Sequence, residues 1–257
     1  MKKIISKIFL LLIPLLAANS IVIAQNDNDP ASKFRIATSE ERKLHDDAYT
    51  TLQQEIEAKL CNKDWGISEP VFLISDHPDE MIVIKDDTTE YNIPDFVREN
   101  ETFKIRLKST SPLFKVYQDS IHKFDGQQGL DKLKEGFKLV EIYGNKMEFA
   151  NIGLSLNETY TDELEGKILP KIPGIQQAAL YKQRPDDYVT VYIARLYIGY
   201  WPKLSPGKMM NYQFKKHSGQ PVIENMKITI STFDYNQMMK VLHSIDWTKL
   251  EKLVKSS

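Results

Sequence analysis

The sequence contains a single cysteine, Cys61, among 257 residues. No disulfide can therefore form within the chain, and the fold has to rely on its hydrophobic core. A chain of this length buries enough apolar surface to do so. Because Cys61 follows a helical pattern that ends at Leu60, we predict that it is a half-buried structural thiol and not a nucleophile.

Long apolar runs are also missing, since no stretch reaches the roughly 20 residues that a membrane-spanning helix needs. The apolar run at 8–18 is shorter, follows Lys2, Lys3 and Lys7, and precedes Val22-Ile23-Ala24. This order is typical of a cleaved signal peptide. We therefore predict a signal peptide over residues 1–24, a flexible tail over 25–33, and export to a periplasmic or extracellular location.

Basic residues are not in excess. Removal of the predicted leader takes away three lysines and leaves 31 basic side chains against 35 acidic ones. Nucleic-acid binding requires a clustered basic face, and none is visible in the sequence. We therefore predict no nucleic-acid partner, and no membrane span after the leader is removed.

Motifs of known catalytic and metal sites are absent as well. Two Ser-x-x-Lys matches, at 120–123 and 205–208, lack the companion motifs of penicillin-recognising enzymes, and we attribute them to chance. The acidic turn at 76–80 lacks the residue order of a calcium loop, which favours a solvated turn. We therefore predict no catalytic residue, no metal and no cofactor.

The sequence does contain clear helix and strand patterns. Apolar residues recur every four positions between residues 39 and 61, after a capping box formed by Thr38 and Glu41, which predicts a helix. A second capped helix is predicted after Asp234. Strand patterns occupy 69–75, 80–87, 102–108 and 225–233. Together these elements predict an α+β fold, mostly antiparallel sheet with helices packed on one face.

Three other segments complete the prediction. Ser111-Pro112 predicts a helix start, and the apolar side of that helix contains Leu113 and Val116. Gly144-Asn145 lies between apolar segments and predicts a hairpin with a tight turn. Residues 157–183 contain two prolines, which predicts short helical pieces at most.

Two segments of the chain are similar to one another. Residues 104–121 and 227–245 both run from a strand through a polar turn into a capped helix. We predict two similar halves, a helix–hairpin–strand–helix half at 34–125 and a second α+β half at 126–257, with chance similarity and one continuous domain as the alternatives. The strand and helix that end the chain resemble those of small PsbP-like proteins, but they span a minor part of it without a diagnostic motif, so the sequence assigns no family.

The most apolar internal stretch is DDYVTVYIARLYIGYW at 186–201. Its β-branched and aromatic residues at period two predict a central strand at 189–198 that is covered on both sides. Arg195 either reaches water or a carboxylate, or anchors an anionic ligand. The aromatic pair before Pro202 either closes the core or contacts a partner. The candidate binding residues are Arg195, Tyr197, Tyr200 and Trp201.

These patterns favour an exported, non-catalytic protein of the bacterial envelope that binds another protein, as an inhibitor, an immunity protein or an accessory factor. The alternative is a periplasmic hydrolase that acts on envelope material, with a site assembled from residues distant in the sequence. A pocket with convergent titratable side chains would favour the enzyme, and an exposed aromatic patch would favour the binding protein. The sequence leaves the oligomeric state open.

Overall fold

The computed structural model describes residues 38–68, 102–122, 142, 144–158, 161, 166–184, 189–205, 207–212 and 221–254. All of these lie within one compact unit of the chain. The predicted signal peptide and tail, the strands predicted at 69–75 and 80–87 and the acidic turn at 76–80 lie outside the described residues.

The described strands form one seven-stranded sheet in the order β1-β2-β3-β7-β6-β5-β4. Every neighbouring pair is antiparallel. The strands are β1 (Trp65–Ile67), β2 (Thr102–Leu107), β3 (Glu148–Leu156), β4 (Lys167–Ile168), β5 (Gln177–Gln183), β6 (Val191–Gly199) and β7 (Asn225–Thr232). The predicted α+β class with an antiparallel sheet is confirmed.

Helices pack on one face of this sheet. They are α1 (Ser39–Lys59), α3 (Tyr235–Ser244) and α4 (Thr248–Glu251). The buried side of α1, which includes Leu52 and Ile56, meets Ile152 of β3 and Ile228 of β7 in one core. A fourth helix, α2 (Pro112–His122), follows β2. None of the described helices combines the length and the apolar character needed to cross a membrane.

Both capped helices begin where the sequence predicts. The Thr38 hydroxyl accepts a hydrogen bond from the Glu41 amide at 3.2 Å, and the Glu41 carboxylate accepts one from the Thr38 amide at 2.7 Å. The Asp234 carboxylate accepts one from the Gln237 amide at 2.9 Å. Each cap satisfies amides that have no partner within the first helical turn.

The strand predicted in the apolar stretch is confirmed as β6, which lies between β5 and β7. Its side chains at Ala194, Leu196 and Ile198 are fully buried beneath the helices. On the opposite face, Ile193 and Arg195 are only half-buried. The strand is therefore covered completely on one side and incompletely on the other.

Two local predictions are wrong. Residues 177–183 form β5, a strand that pairs along its whole length with β6, and not helical pieces. Alanines have a low intrinsic preference for strands, but Ala178 and Ala179 are buried in the sheet, so tertiary packing decides their conformation. Gly144 and Asn145 lie in a helical turn, and β3 pairs with β2 and β7, so no hairpin is centred on them.

The helix α2 begins at the predicted residue, but two residues of its predicted apolar side, Leu113 and Val116, are exposed. The Ser111 hydroxyl accepts from the Leu113 amide at 3.3 Å. Leu113 is 44% exposed and Val116 is 56% exposed, whereas Met238 and Val241 of α3 are fully buried. The two helices thus differ in packing, and the division into two similar halves stays a prediction.

Candidate functional site

The four candidate binding residues all lie near the end of β6, but the structure places them in three different environments. Tyr197 and Trp201 are buried together. Tyr200 lines a cleft on the other side of the strand end. Arg195 lies on the sheet face that α1, α3 and α4 leave uncovered, next to Tyr181. Each environment can therefore support a different role.

Trp201 closes a small apolar cluster with Ala179, Tyr197 and Leu204. Its ring meets the Tyr197 ring edge-on, with centroids 5.1 Å apart, and its Nε1 donates to the backbone oxygens of Ile198 at 3.1 Å and Met226 at 3.2 Å. Trp201 is 6% exposed and Tyr197 is fully buried. Of the two sequence interpretations, closure of the core therefore describes the position of Trp201, and neither side chain is open to a partner in this conformation.

The bend that separates Tyr200 from Trp201 depends on Gly199. Its φ is +86°, and a Cβ at this position would lie 2.5 Å from the backbone oxygen of Glu224. The Tyr200 amide donates to that same oxygen at 3.0 Å. The close approach requires a residue without a side chain, as the glycine in the strand pattern indicates.

Tyr200 lines a cleft of about 440 Å³. Its walls come from the loop before β5, the end of β6 and the end of α4, and the lining residues are Lys171, Gly174, Ile175, Gln176, Gly199, Tyr200, Glu251 and Val254. The loop is fixed by backbone contacts, because the Gln176 amide donates to the Tyr197 oxygen at 2.9 Å. The cleft is thus assembled from three segments that are distant in the sequence.

Sequence reasoning missed every cleft residue except Tyr200. Lys171, Gln176 and Glu251 belong to no motif, and only the fold brings them together. Gly174 carries the one local signal, because its φ is +78° and a Cβ there would lie 2.4 Å from the Thr248 amide nitrogen. That contact fits the loop against the start of α4.

A buried carboxylate and a phenol form a second polar feature at this end of the sheet. The Tyr212 hydroxyl donates to the Glu224 carboxylate at 2.5 Å, and Glu224 is 1% exposed. Burial and this hydrogen bond raise the pKa of Tyr212 well above its ordinary value. Because the carboxylate is closed to solvent, the pair can attach the segment 207–212 to the sheet, but it cannot reach a substrate in this conformation.

The part of the chain that the structure describes contains no group of three or more His, Cys, Asp or Glu side chains able to hold a metal ion. Cys61 is partly exposed. Burial raises the pKa of its thiol, which disfavours the reactive thiolate. The partial burial matches the half-buried position predicted for Cys61.

No family model matches the chain, and no curated protein or solved structure is significantly similar to it.

Proposed function

We propose that this chain is an exported, non-catalytic binding protein of the bacterial envelope, and that its cleft holds a segment of a partner protein. The observation that carries the proposal is the position of Tyr200, the one candidate aromatic that is half-exposed and lines an open cleft. Tyrosine is among the residue types that most often dominate the binding energy of protein interfaces.

The chemistry of the lining supports a polypeptide as the bound group. Val254 lines the cleft with a partly exposed apolar side chain, while Lys171 and Glu251 supply one charge of each sign. Lys171 and Glu251 are both exposed, so a ligand in the cleft can reach either charge. A short peptide segment carries apolar and charged side chains together and can satisfy this mixture.

The cleft supports binding better than acid–base catalysis. A catalytic acid or base has to lie within hydrogen-bond reach of the substrate proton that it transfers, and it gains from a site that excludes water. Here the cleft is open, and the buried carboxylate nearby, Glu224, is closed to solvent. The proposed export to the envelope is supported by the leader pattern at 1–24.

Photo-cross-linking in the producing cell tests the proposal. A benzoylphenylalanine replaces Tyr200 in one variant, and Gln54 on the exposed side of α1 in a matched control. We expect the variant at 200 to form one discrete adduct with a second protein, and the control to form none. Adducts that are the same from both positions, or absent from both, would contradict a partner in the cleft.

Once that partner is identified, its affinity can be measured against Tyr200→Ala. We expect the dissociation constant to rise by roughly 30-fold, which corresponds to about 2 kcal/mol. The melting temperature should stay close to that of the parent, because Tyr200 lies outside both buried clusters.

A further inference from the structure

The methionine side chains of this chain differ widely in their access to solvent. Met209 is 60% exposed, more than any other large apolar side chain in the part of the chain that the structure describes. Its neighbour Met210 is half-buried. Met226 and Met238 are fully buried in the core. A small reagent in solution can therefore reach the thioether of Met209 directly, whereas the core methionines are closed to it.

The backbone on both sides of Met209 is held in place. Before it, the Lys208 amide donates to the Ser205 oxygen at 3.2 Å and closes a turn. After it, the Thr161 amide donates to the Met210 oxygen at 2.8 Å, and the Met210 amide donates to the Thr161 hydroxyl at 2.9 Å. Thr161 is itself fully buried. Met209 thus combines a fixed backbone with a side chain that extends into solvent.

We propose that Met209 is a site of reversible oxidation by hydroperoxides. Its Sδ attacks one oxygen of hydrogen peroxide, so that an S–O bond forms, the O–O bond breaks and, after proton transfer, water leaves. The sulfur loses two electrons and the peroxide gains them. The product is methionine sulfoxide, which is polar. Because the side chain of Met209 is exposed, water can hydrate the new oxygen and no buried contact is lost.

The core methionines would respond in the opposite way. A sulfoxide at Met226 or Met238 would place a polar oxygen among apolar side chains, which is costly. Peroxide can reach these two sulfurs only when the surrounding structure opens. Oxidation of the folded protein should therefore begin at Met209 and leave the core intact.

Reversal of the step needs a reductant from outside the chain. Methionine sulfoxide reductases remove the oxygen as water while two thiols are oxidised to a disulfide. Cys61 is the only cysteine of this chain, so the chain cannot supply that pair of thiols itself. An exposed sulfoxide at Met209 is open to such an enzyme while the protein stays folded. The proposal uses a different part of the molecule from the cleft and does not depend on it.

Timed oxidation of the folded mature chain with hydrogen peroxide, followed by digestion and mass spectrometry, tests the site. We expect Met209 to gain one oxygen at least about tenfold faster than Met226 and Met238. The variants Met209→Leu and Met210→Leu, which nearly conserve volume, distinguish the two neighbours. Each variant leaves one methionine in this segment. Met210→Leu should keep the parent rate of oxidation there, and Met209→Leu should be at least about fivefold slower.

A second measurement follows the fold and the reversal. The parent oxidised at Met209 should melt within about 2 °C of the untreated protein. Met209→Leu treated in the same way controls for oxidation of Cys61. A mixture of the two reductases that act on the two sulfoxide epimers should restore Met209 without denaturant.

Four results would overturn the proposal. They are equal rates of oxidation at Met209 and in the core, faster oxidation at Met210 than at Met209, a melting temperature that falls in the oxidised parent but not in treated Met209→Leu, and reduction of the sulfoxide only after denaturation. The Tyr200 experiment is unaffected by any of them.

Discussion

At the scale of single residues, Trp201 shows that an aromatic residue just after a strand can pack in a buried cluster of its own chain. The strand ends at Gly199, and the chain then turns so that Leu204 completes the cluster around the Trp201 ring. The Gln177 side chain fastens this turn by donating to the Pro202 oxygen at 2.8 Å and accepting from the Leu204 amide. A residue that looks like an interface aromatic in the sequence is therefore held by contacts within its own chain.

Truncation of Trp201 should therefore lower stability. We expect Trp201→Ala to reduce the free energy of unfolding by about 3–5 kcal/mol, because it removes a large buried ring and leaves a cavity. Urea unfolding of this variant measures the loss, and Tyr200→Ala serves as the control with a change below about 1 kcal/mol. A Trp201→Ala protein as stable as the parent would show that the ring does not close the core.

A comparison of Gly199 with Gly207 distinguishes the cost of a positive φ from the cost of a steric clash. Both have positive φ, +86° and +67°, but a Cβ at 199 would lie 2.5 Å from a backbone oxygen, whereas a Cβ at 207 meets nothing within 4 Å. We expect Gly207→Ala to cost about 1 kcal/mol of stability and Gly199→Ala more than about 3 kcal/mol. The two values come from denaturant unfolding, and equal losses would show that the contact with Glu224 is relieved at little cost.

At the scale of elements, β6 has one closed face and one half-open face. Leu196 points into the core beneath the helices and is fully buried, while Ile193 on the opposite face is half-buried. We expect Leu196→Asp to prevent folding or to cost more than about 4 kcal/mol, because an unpaired charge would be buried. Ile193→Asp should cost less, about 1–2 kcal/mol. Circular dichroism melts of the two variants compare the faces, and equal losses would mean that both are closed.

An ion pair between Glu55 and Lys249 connects helix α1 to helix α4. The Glu55 carboxylate is almost completely buried and accepts hydrogen bonds from the Lys249 ammonium and, at 3.1 Å, from the Asp246 amide. Burial acts to raise the pKa of Glu55, but these two hydrogen bonds outweigh it and hold the pKa below its ordinary value of 4.5.

This pair predicts a loss of stability in acid. A carboxyl group whose pKa is lowered by folding stabilises the folded state above its unfolded pKa, and this contribution disappears as the pH falls through the lowered value. We expect Glu55→Gln to cost about 1.5–3 kcal/mol at pH 7 and the difference from the parent to shrink below about pH 4.5. Urea unfolding from pH 7 to pH 3 measures it. Asp47→Asn, in the exposed Lys43–Asp47 pair, serves as the control and should change stability by less than about 0.5 kcal/mol at any of these pH values.

Elements with a local chemical signal could be predicted from the sequence, and elements defined by their neighbours could not. The capping box at Thr38 and the apolar period of α1 are local, as is the two-residue period of β6. By contrast, β5 contains Ala178 and Ala179, which have a low intrinsic preference for strands. It forms a strand because it pairs with β6. The cleft has the same character, since Lys171 and Glu251 meet only after β6 and α4 are in place. Of its lining, only the aromatic end of β6 could be found in advance.

At the scale of the whole molecule, the two predicted halves share one sheet and one core. The strand β2 belongs to the first half and pairs with β3 of the second. Helix α1 of the first half lies on the same sheet, where the Tyr49 hydroxyl donates to the Leu154 oxygen at 2.5 Å. Separation of the halves would expose one edge of β3 and the apolar side of α1, so neither half keeps its own closed core.

The shared core predicts that the described elements unfold together. Trp65 in β1 and Trp247 at the start of α4 report from distant parts of the fold, and each can be left as the sole tryptophan by replacing the other two with phenylalanine. Within each such variant, tryptophan fluorescence and far-ultraviolet circular dichroism should give the same urea midpoint, because a single cooperative transition appears alike to every probe. The parent, followed by both methods, controls for the effect of the substitutions. A midpoint at Trp65 that clearly precedes the circular dichroism midpoint would show that β1 and β2 open before the rest of the sheet, and the first half would then count as a separate unit of stability.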